Sequence, residues 1–213
     1  MLIRFAAALL AAASPALAET PTDAPPAVAE PARAATVLVT LDTAEGAIVL
    51  EIETERAPVT AANFLRYVAE KRLDGAVFYR AMKLGEGYGL IQGGVRGNPK
   101  RVLPKIGHEP TSATGLSHVD GAISMARGAP GSADGDFFIT IGALTSLDAD
   151  ATKPGDNLGF AVFGRVVGGM DVVRRIVEAP TSPTEGVGVM KGQMIAAPVV
   201  IRSARRAPAA PKS

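Results

Sequence analysis

Short runs of apolar residues, many of them β-branched, recur along most of the chain and are separated by turn-forming residues. The runs at 37–41 and 48–52 flank a turn at 44–46 and predict a β-hairpin. Further runs bounded by Gly, Pro, Asn or Asp predict short strands at 76–81, 90–92, 122–125, 137–141, 160–167 and 198–202. Many short strands with frequent turn signals indicate an all-β sandwich or barrel.

Helical spacing interrupts the strand pattern at two places. Pro58 begins the first segment, with Thr60 as its candidate cap, and the segment predicts a helix of about three turns. Its apolar face consists of Ala61, Phe64, Leu65 and Val68. A turn at 168–169 precedes the second helix. The apolar face of that helix consists of Met170, Val173, Ile176 and Val177.

The two ends of the chain differ in composition from its middle. Arg4, an apolar run at 5–13 and small residues up to Ala18 predict a secretory signal that is cleaved after Ala18. The segment that follows is rich in Pro and Ala and has too few apolar residues to build a core. The predicted organisation is a signal peptide at 1–18, a disordered tether at 19–35, one folded domain at 36–203 and a flexible tail at 204–213.

Composition and charge narrow the function classes. The 213 residues are 47% apolar and carry a formal net charge of +1, with three Tyr, seven Phe and no Trp. This argues against a nucleic-acid surface, which clusters Lys and Arg and interleaves stacking rings. No apolar run reaches the roughly 20 residues that a membrane span needs. Although Cys is absent, the signal predicts a periplasmic or secreted protein without a membrane span.

One arginine and one glutamine stand at the two ends of a Gly-interrupted stretch. Arg80 follows Phe78 and Tyr79 and precedes apolar residues, so a half-buried strand aims its guanidinium into an apolar surface. This fork of charged donors can hold a substrate carbonyl if no carboxylate pairs with it. Alternatively, the stem of Arg80 covers apolar surface while its head reaches water. Local spacing leaves both interpretations open and makes Arg80 and Gln92 the first candidate site residues.

Several stretches that carry polar and aromatic residues follow one another in a fixed order. They are Phe78-Tyr79-Arg80, Ile91-Gln92-Gly93-Gly94 and the segments 121–127, 136–139, 147–148 and 160–166. Together they resemble the cyclophilins, the peptidyl-prolyl cis-trans isomerases, and the resemblance covers roughly residues 36–202. It is greatest to the short exported bacterial members. The resemblance implies a closed eight-stranded antiparallel barrel capped by two α-helices, with a substrate groove on the outside of the barrel wall.

The resemblance also implies a set of site residues. Arg80 takes the place of the catalytic arginine, Gln92 binds the peptide backbone, and Phe138 forms the floor of a proline pocket. The implied substrate-binding residues are Phe78, Leu90, Gln92, Ala126, Arg127, Asp136, Phe138, Leu147 and Phe160. The implied partners are proline-containing peptides and unfolded exported proteins. A monomer that needs no cofactor and no metal is the expectation.

The chain departs from the family pattern at several places. Asp136 stands where the family usually has Gln, and this acceptor-only anion can pair with Arg80 or Arg127. Arg127 itself replaces a usual Asn, although the backbone contact at that position survives the change. Ser146 replaces an aromatic residue linked to cyclosporin binding, so we expect poor affinity for the drug. Residues 85–89 form an insertion that we expect to be flexible.

These departures support a second hypothesis beside the enzyme, a peptide-binding or holdase module of the same fold with weakened catalysis. An ion pair that turns Arg80 toward Asp136 and away from the groove favours binding without turnover. If Arg80 instead points across Phe138, turnover is favoured. An adaptor recruited through the tether is a third, less supported hypothesis.

Two other constellations are rejected. A hydrolase triad drawn from the loop residues His108 or His118 lacks the Gly-x-Ser-x-Gly elbow around a serine. The two histidines lie ten residues apart in a chain without Cys, which predicts no metal site.

Overall fold

The computed structural model describes residues 34–207, and most of its elements fall on the predicted runs. The strands are β1 (Thr36–Thr43), β2 (Gly46–Glu53), β3 (Ala76–Gly85), β4 (Tyr88–Gly94), β5 (Ala122–Met125), β6 (Asp136–Ile141), β7 (Ala161–Gly168), β8 (Thr181–Ser182) and β9 (Met194–Arg206). The helices are α1 (Pro58–Ala69), α2 (Thr111–Thr114) and α3 (Met170–Val177). The predicted signal peptide, the tether before residue 34 and the tail after residue 207 lie outside the described residues.

Eight of the strands close into a ring in the order β1-β2-β7-β5-β6-β4-β3-β9. All neighbouring strands are antiparallel, and pairing of β1 with β9 completes the closure. The two-residue strand β8 pairs with β9 outside the ring. Closure leaves these eight strands without a free edge. The prediction of a closed eight-stranded antiparallel barrel is confirmed, and a barrel rather than a sandwich accounts for the strand pattern.

Helices α1 and α3 cover opposite ends of this barrel. Helix α1 packs against β2, β7 and β9, and Asn63 on it donates a hydrogen bond to the carbonyl of Asp134, just before β6. Its Phe64 ring meets Phe137 inside the barrel at a centroid distance of 5.5 Å. Helix α3 instead covers the end where β2 begins, because Val172 lies against Gly46. The two predicted helices are therefore present, with the four-residue α2 as an unpredicted third.

Two local features differ from the sequence-based expectation, and the structure also places the insertion. The cap of α1 is not Thr60: the carboxylate of Glu109 accepts hydrogen bonds from the backbone N–H groups of Val59 and Thr60 at 3.0 and 2.7 Å. Strand β9 continues to Arg206, which pairs with Val39, so residues 204–206 are barrel rather than tail. The inserted residues 85–89 simply lengthen the β3–β4 hairpin, in which Gly85 pairs with Tyr88.

The contact between α1 and the barrel interior gives a stability prediction. Phe64 is 2% exposed, so Phe64→Ala is expected to lower the free energy of unfolding by about 3–5 kcal/mol through lost burial and the cavity left behind. Urea denaturation of the purified domain measures this change. Val59→Ala on the same helix is the matched control, because Val59 is 46% exposed and its truncation is expected to cost less than about 0.5 kcal/mol. Equal losses in the two variants would contradict the packing described for α1.

Candidate functional site

A groove of about 940 Å³ runs over the outer face of the barrel wall formed by β3, β4 and β6. Nine of the residues named from the sequence line it: Arg80, Leu90, Gln92, Ala126, Arg127, Asp136, Phe138, Leu147 and Phe160. Residues not foreseen also line it: Tyr79, Met82, Arg96, Gly128, Glu185, Gly186, Val187, Val189, Met190 and Met194. The groove therefore combines strand residues with residues of several loops, among them the loop between β8 and β9.

Arg80, Gln92 and Phe138 form one row across three neighbouring strands. Arg80 on β3 is directly opposite Gln92 on β4, and Gln92 is directly opposite Phe138 on β6. Directly paired residues point to the same face of a sheet. The closed barrel thus presents a guanidinium, an amide and a phenyl ring side by side, although these residues are up to 58 positions apart in the chain (80 to 138).

A β-bulge at Tyr79 corrects the assignment of Phe78. The pairing of β3 with β4 runs from Phe78–Gly93 directly to Arg80–Gln92, which leaves Tyr79 as an extra residue. Simple alternation would put Phe78 and Arg80 on one face, but the bulge re-aims the chain between them. Phe78 is consequently fully buried in the barrel core and does not contact the groove. Tyr79 takes a place in the groove instead.

An apolar cup lies beside the row and has Phe138 as its floor. Phe138 is 4% exposed and clusters with Leu90 and Leu144, while Phe160 stands edge-on to it at a centroid distance of 5.4 Å. Leu147 packs at the rim. The preceding residue in β6, Phe137, points into the core, as strand alternation predicts. Such a cup suits a compact apolar group more than a charged one.

His118 supports this floor from behind. Its ring stacks on that of Phe138 with an interplanar angle of 7° and a centroid distance of 5.7 Å. Its Nδ1 bonds the Asp148 carboxylate at 2.5 Å and its Nε2 bonds the Ser124 hydroxyl at 3.0 Å, which is the connectivity of a Ser-His-Asp triad. However, His118 and Ser124 are both fully buried, so no substrate reaches the hydroxyl. Burial also lowers the pKa of His118, against the opposing effect of Asp148.

The guanidinium of Arg80 is held by uncharged groups. Its Nε donates to Gln193 Oε1 at 2.8 Å and its Nη1 donates to Gln92 Oε1 at 2.9 Å, while Nη2 lies 3.5 Å from the Met82 sulfur. Among residues 34–207, no carboxylate forms an ion pair with it. Burial lowers the pKa of Arg80, but an arginine keeps its charge at neutral pH.

Asp136 and Arg127, the two charged residues that depart from the family pattern, do not pair with each other or with Arg80. Asp136 bonds the hydroxyl of Tyr79 at 2.9 Å and the backbone N–H of Arg96 at 2.8 Å, so the anticipated pairing with Arg80 or Arg127 is not formed. Arg127 instead binds Asp156 through two hydrogen bonds of 2.8 and 2.9 Å, and its guanidinium lies over the Phe160 ring. That ion pair lowers the pKa of Asp156 to about 2.

The loop between β8 and β9 also lines the groove, and the sequence did not predict this. Val187 and Val189 are 83% and 85% exposed, and the loop is tied to the site by the side chain of Gln193 on Arg80. The segment around Val187 and Val189 is short and rich in Gly. It has no hydrophobic periodicity from which its position could be predicted. Ser146 and Tyr88, in contrast, do not line the groove.

Two other kinds of feature are absent from residues 34–207. None of the helices in this part of the chain is long and apolar enough to cross a membrane. Within 34–207, no group of three or more His, Cys, Asp or Glu side chains is arranged to hold a metal ion.

A closed antiparallel barrel with Arg, Gln and Phe in register on its outer wall defines a protein of the cyclophilin type, and comparison with known proteins agrees. A model of the family "Cyclophilin type peptidyl-prolyl cis-trans isomerase/CLD" matches residues 38–205. A peptidyl-prolyl cis-trans isomerase of Acinetobacter baylyi is 34% identical over 149 residues, covering 70% of this chain and 76% of the relative. Peptidyl-prolyl cis-trans isomerase A of Dickeya dadantii is 34% identical over 178 residues, covering 82% and 88%. The chain belongs to the cyclophilin-type peptidyl-prolyl cis-trans isomerases, a family of enzymes.

Solved structures agree on the fold. The structure of a cyclophilin type peptidyl-prolyl cis-trans isomerase of Cryptosporidium parvum, determined in the presence of the dipeptide Ala-Pro, superimposes with a TM-score of 0.64. It covers 80% of this chain and 99% of its own, at 21% sequence identity.

Proposed function

We propose that this protein accelerates the cis-trans isomerisation of X-Pro bonds in peptide segments bound in the groove. The row of Arg80, Gln92 and Phe138 carries the proposal, because it sets a charged donor beside an apolar cup. The Ala-Pro dipeptide present with the Cryptosporidium parvum protein supports the same class of ligand. The cup, with Phe138 as its floor, holds the proline ring, and Arg80 and Gln92 hold the amide to be rotated.

The chemistry requires no covalent intermediate. Resonance gives the peptide C–N bond partial double-bond character and a rotation barrier of roughly 18–20 kcal/mol, so an X-Pro bond isomerises over tens to hundreds of seconds. In the twisted transition state, the prolyl nitrogen regains its lone pair. A donor aimed at that nitrogen stabilises the transition state more than either planar ground state. Arg80 is the donor in this mechanism.

Substrate positioning falls to the groups around Arg80. Phe138 and Phe160 hold the stiff pyrrolidine ring, Leu90 and Leu147 extend the apolar surface, and Gln92 binds the substrate backbone. The backbone carbonyl of Arg127 accepts no hydrogen bond from the residues described, which suits it to pair with an extended peptide. The carbonyl side of the bond then rotates while the ring stays fixed.

A protease-coupled assay on a short Ala-Pro peptide tests the proposal. The purified protein is expected to raise the rate of the slow cis-to-trans phase in proportion to its concentration. The partners of Asp136 and Arg80 favour this outcome over the binding-only hypothesis, because Asp136 does not hold Arg80 in an ion pair. Binding of the peptide with an unchanged slow phase would leave a peptide-binding module of the same fold.

We further propose that the substrates are unfolded exported proteins and that the enzyme acts as a monomer in the periplasm or outside the cell. The signal-like segment at 1–18 supports export. Expression of the full chain in a Gram-negative host, followed by fractionation and N-terminal sequencing, is expected to give a periplasmic protein that begins at Glu19. An uncut protein in the cytosolic fraction would contradict export. A groove formed within one chain supports the monomer, which light scattering of the mature protein tests.

A further inference from the structure

A chain of hydrogen bonds leads away from Arg80 through three more side chains. Arg80 Nη1 donates to Gln92 Oε1 at 2.9 Å, and Gln92 Nε2 donates to the Tyr79 hydroxyl at 2.7 Å. The Tyr79 hydroxyl donates to Asp136 Oδ2 at 2.9 Å, and Asp136 Oδ1 accepts from the backbone N–H of Arg96 at 2.8 Å. Tyr79 and Gln92 are 6% and 9% exposed, so water competes little for these bonds.

The charge of Asp136 sets the direction of every bond in this chain. An ionised carboxylate only accepts, so the Tyr79 hydroxyl must donate its single proton to Asp136. The hydroxyl oxygen then accepts from the amide nitrogen of Gln92. Because the Gln92 nitrogen is occupied there, its oxygen faces Arg80, where it attracts the guanidinium. A reversed chain would present the Gln92 NH₂ group to Arg80 and repel it.

The backbone makes room for this carboxylate. Gly94 has a φ of +137°, which side-chain-bearing residues rarely adopt, and a Cβ there would overlap Asp136 Oδ1. The bulge at Tyr79 supplies the second requirement, since it brings the hydroxyl onto the same face as Arg80. Neither feature is needed for the apolar cup.

We propose that Asp136 and Tyr79 are positioning residues of this isomerase, which orient the Gln92 amide so that its oxygen holds the Arg80 guanidinium toward the bound X-Pro bond. The proposal rests on the proposed function. It gives the unusual acid at 136 an orienting role rather than a quenching one, because Asp136 acts on the arginine through two intervening side chains. Gln193 fixes the other side of the guanidinium, which leaves N–H groups of both terminal nitrogens for the substrate.

The same geometry makes the site sensitive to acid. The groups that face Asp136 are the hydroxyls of Tyr79 and Tyr67, the backbone N–H groups of Val95 and Arg96 just after β4, and the carboxylate of Asp134 just before β6. Burial raises the pKa of Asp136 above its ordinary value, although the hydrogen bonds from Arg96 and Tyr79 oppose this rise. As the pH falls through this raised pKa, Asp136 gains a proton and no longer fixes the direction of the chain. Activity is therefore expected to fall on the acid side.

Asp136→Asn tests the direction of the chain at nearly constant size. Asparagine can accept from Arg96 only by turning its NH₂ group toward Tyr79, which reverses the bonds that lead to Arg80. We expect kcat/KM on an Ala-Pro peptide to fall by about tenfold, mainly through kcat, in both Asp136→Asn and Tyr79→Phe. The double variant is expected to lose no more than either single variant, since both changes break one chain. Asp134→Asn removes a neighbouring charge that takes no part in the hydrogen-bond chain. Its kcat/KM should stay within about twofold of the wild-type value.

Two readouts separate positioning from a merely structural role. The acid-side fall of kcat is expected in the wild type and absent in Tyr79→Phe, in which Asp136 has no path to Arg80. The side-chain amide signals of Gln92 in a ¹⁵N–¹H NMR spectrum are expected to move in Asp136→Asn but not in Asp134→Asn. Unchanged Gln92 signals, or losses that multiply in the double variant, would overturn the proposal. If the wild type shows no turnover while the Gln92 signals still respond, the proposed function fails and the orienting chain remains.

Discussion

Arg80→Ala is expected to lower kcat/KM for an Ala-Pro peptide by about 100- to 1,000-fold, the usual effect of removing one preorganised donor from a polar transition state. The guanidinium is half-buried and already oriented by Gln92 and Gln193, so it needs little rearrangement as the amide twists. Peptide affinity is expected to change far less, because the apolar cup is untouched. Protease-coupled kinetics give kcat/KM, and a titration gives the affinity.

Lys83→Ala is the matched control for loss of a cation from the same strand. The ammonium of Lys83 is bound to Glu178 at 2.6 Å, and Lys83 does not line the groove. Its removal should leave kcat/KM within about twofold of the wild type, as for an exposed ion pair away from the site. Arg80→Lys should fall between the two, since one ammonium cannot reproduce the fixed fork of donors. A fully active Arg80→Ala variant would remove Arg80 from the mechanism.

Phe138→Ala is expected to lower kcat/KM by about 30- to 150-fold through loss of the floor beneath the proline ring. Burying an apolar side chain of this size is worth roughly 2–3 kcal/mol, and about 1.4 kcal/mol corresponds to a factor of ten. The loss should be shared between binding and turnover, because the ring must be held while the other side of the bond rotates. Steady-state kinetics on the same peptide, below the unfolding temperature of the variant, measure it.

Substitution of the neighbouring Phe137 distinguishes an effect on the pocket from an effect on stability. Phe137 and Phe138 lie on opposite faces of β6, one in the core and the other in the groove. Phe137→Leu is expected to lower the melting temperature with little change in kcat/KM, and Phe138→Leu is expected to do the reverse. Similar kinetic losses in both would mean that Phe138 acts only through the fold.

Much of the architecture follows from local patterns. Runs of β-branched residues on both sides of a turn predicted the β1–β2 hairpin. Apolar residues at helical spacing predicted α1 and α3. Closure into a barrel depends on the pairing of β1 with β9, two strands more than 150 residues apart (43 to 194), and local periodicity contains no information on such pairing. The resemblance to the cyclophilins supplied that part of the prediction.

The site was predicted less evenly. Residues within ordered motifs, such as Gln92 and Phe138, line the groove, whereas Phe78, which the resemblance implied for substrate binding, lies in the core because a bulge at Tyr79 separates its face from that of Arg80. Val187 and Val189 were missed because the loop that carries them meets the groove only through tertiary contacts. The partner of Asp136 was equally invisible, since Tyr79 lies 57 residues away in the chain.

NMR exchange spectroscopy on a proline peptide, with catalytic amounts of wild type or Arg80→Ala, tests turnover, and addition of each protein to a stoichiometric amount then tests binding. We predict cross-peaks between the cis and trans signals with the wild type and none on the same timescale with Arg80→Ala, while both proteins shift the peptide resonances. Exchange that is equally fast with both proteins, or peptide shifts without exchange in the wild type, would contradict a prolyl isomerase that works through Arg80.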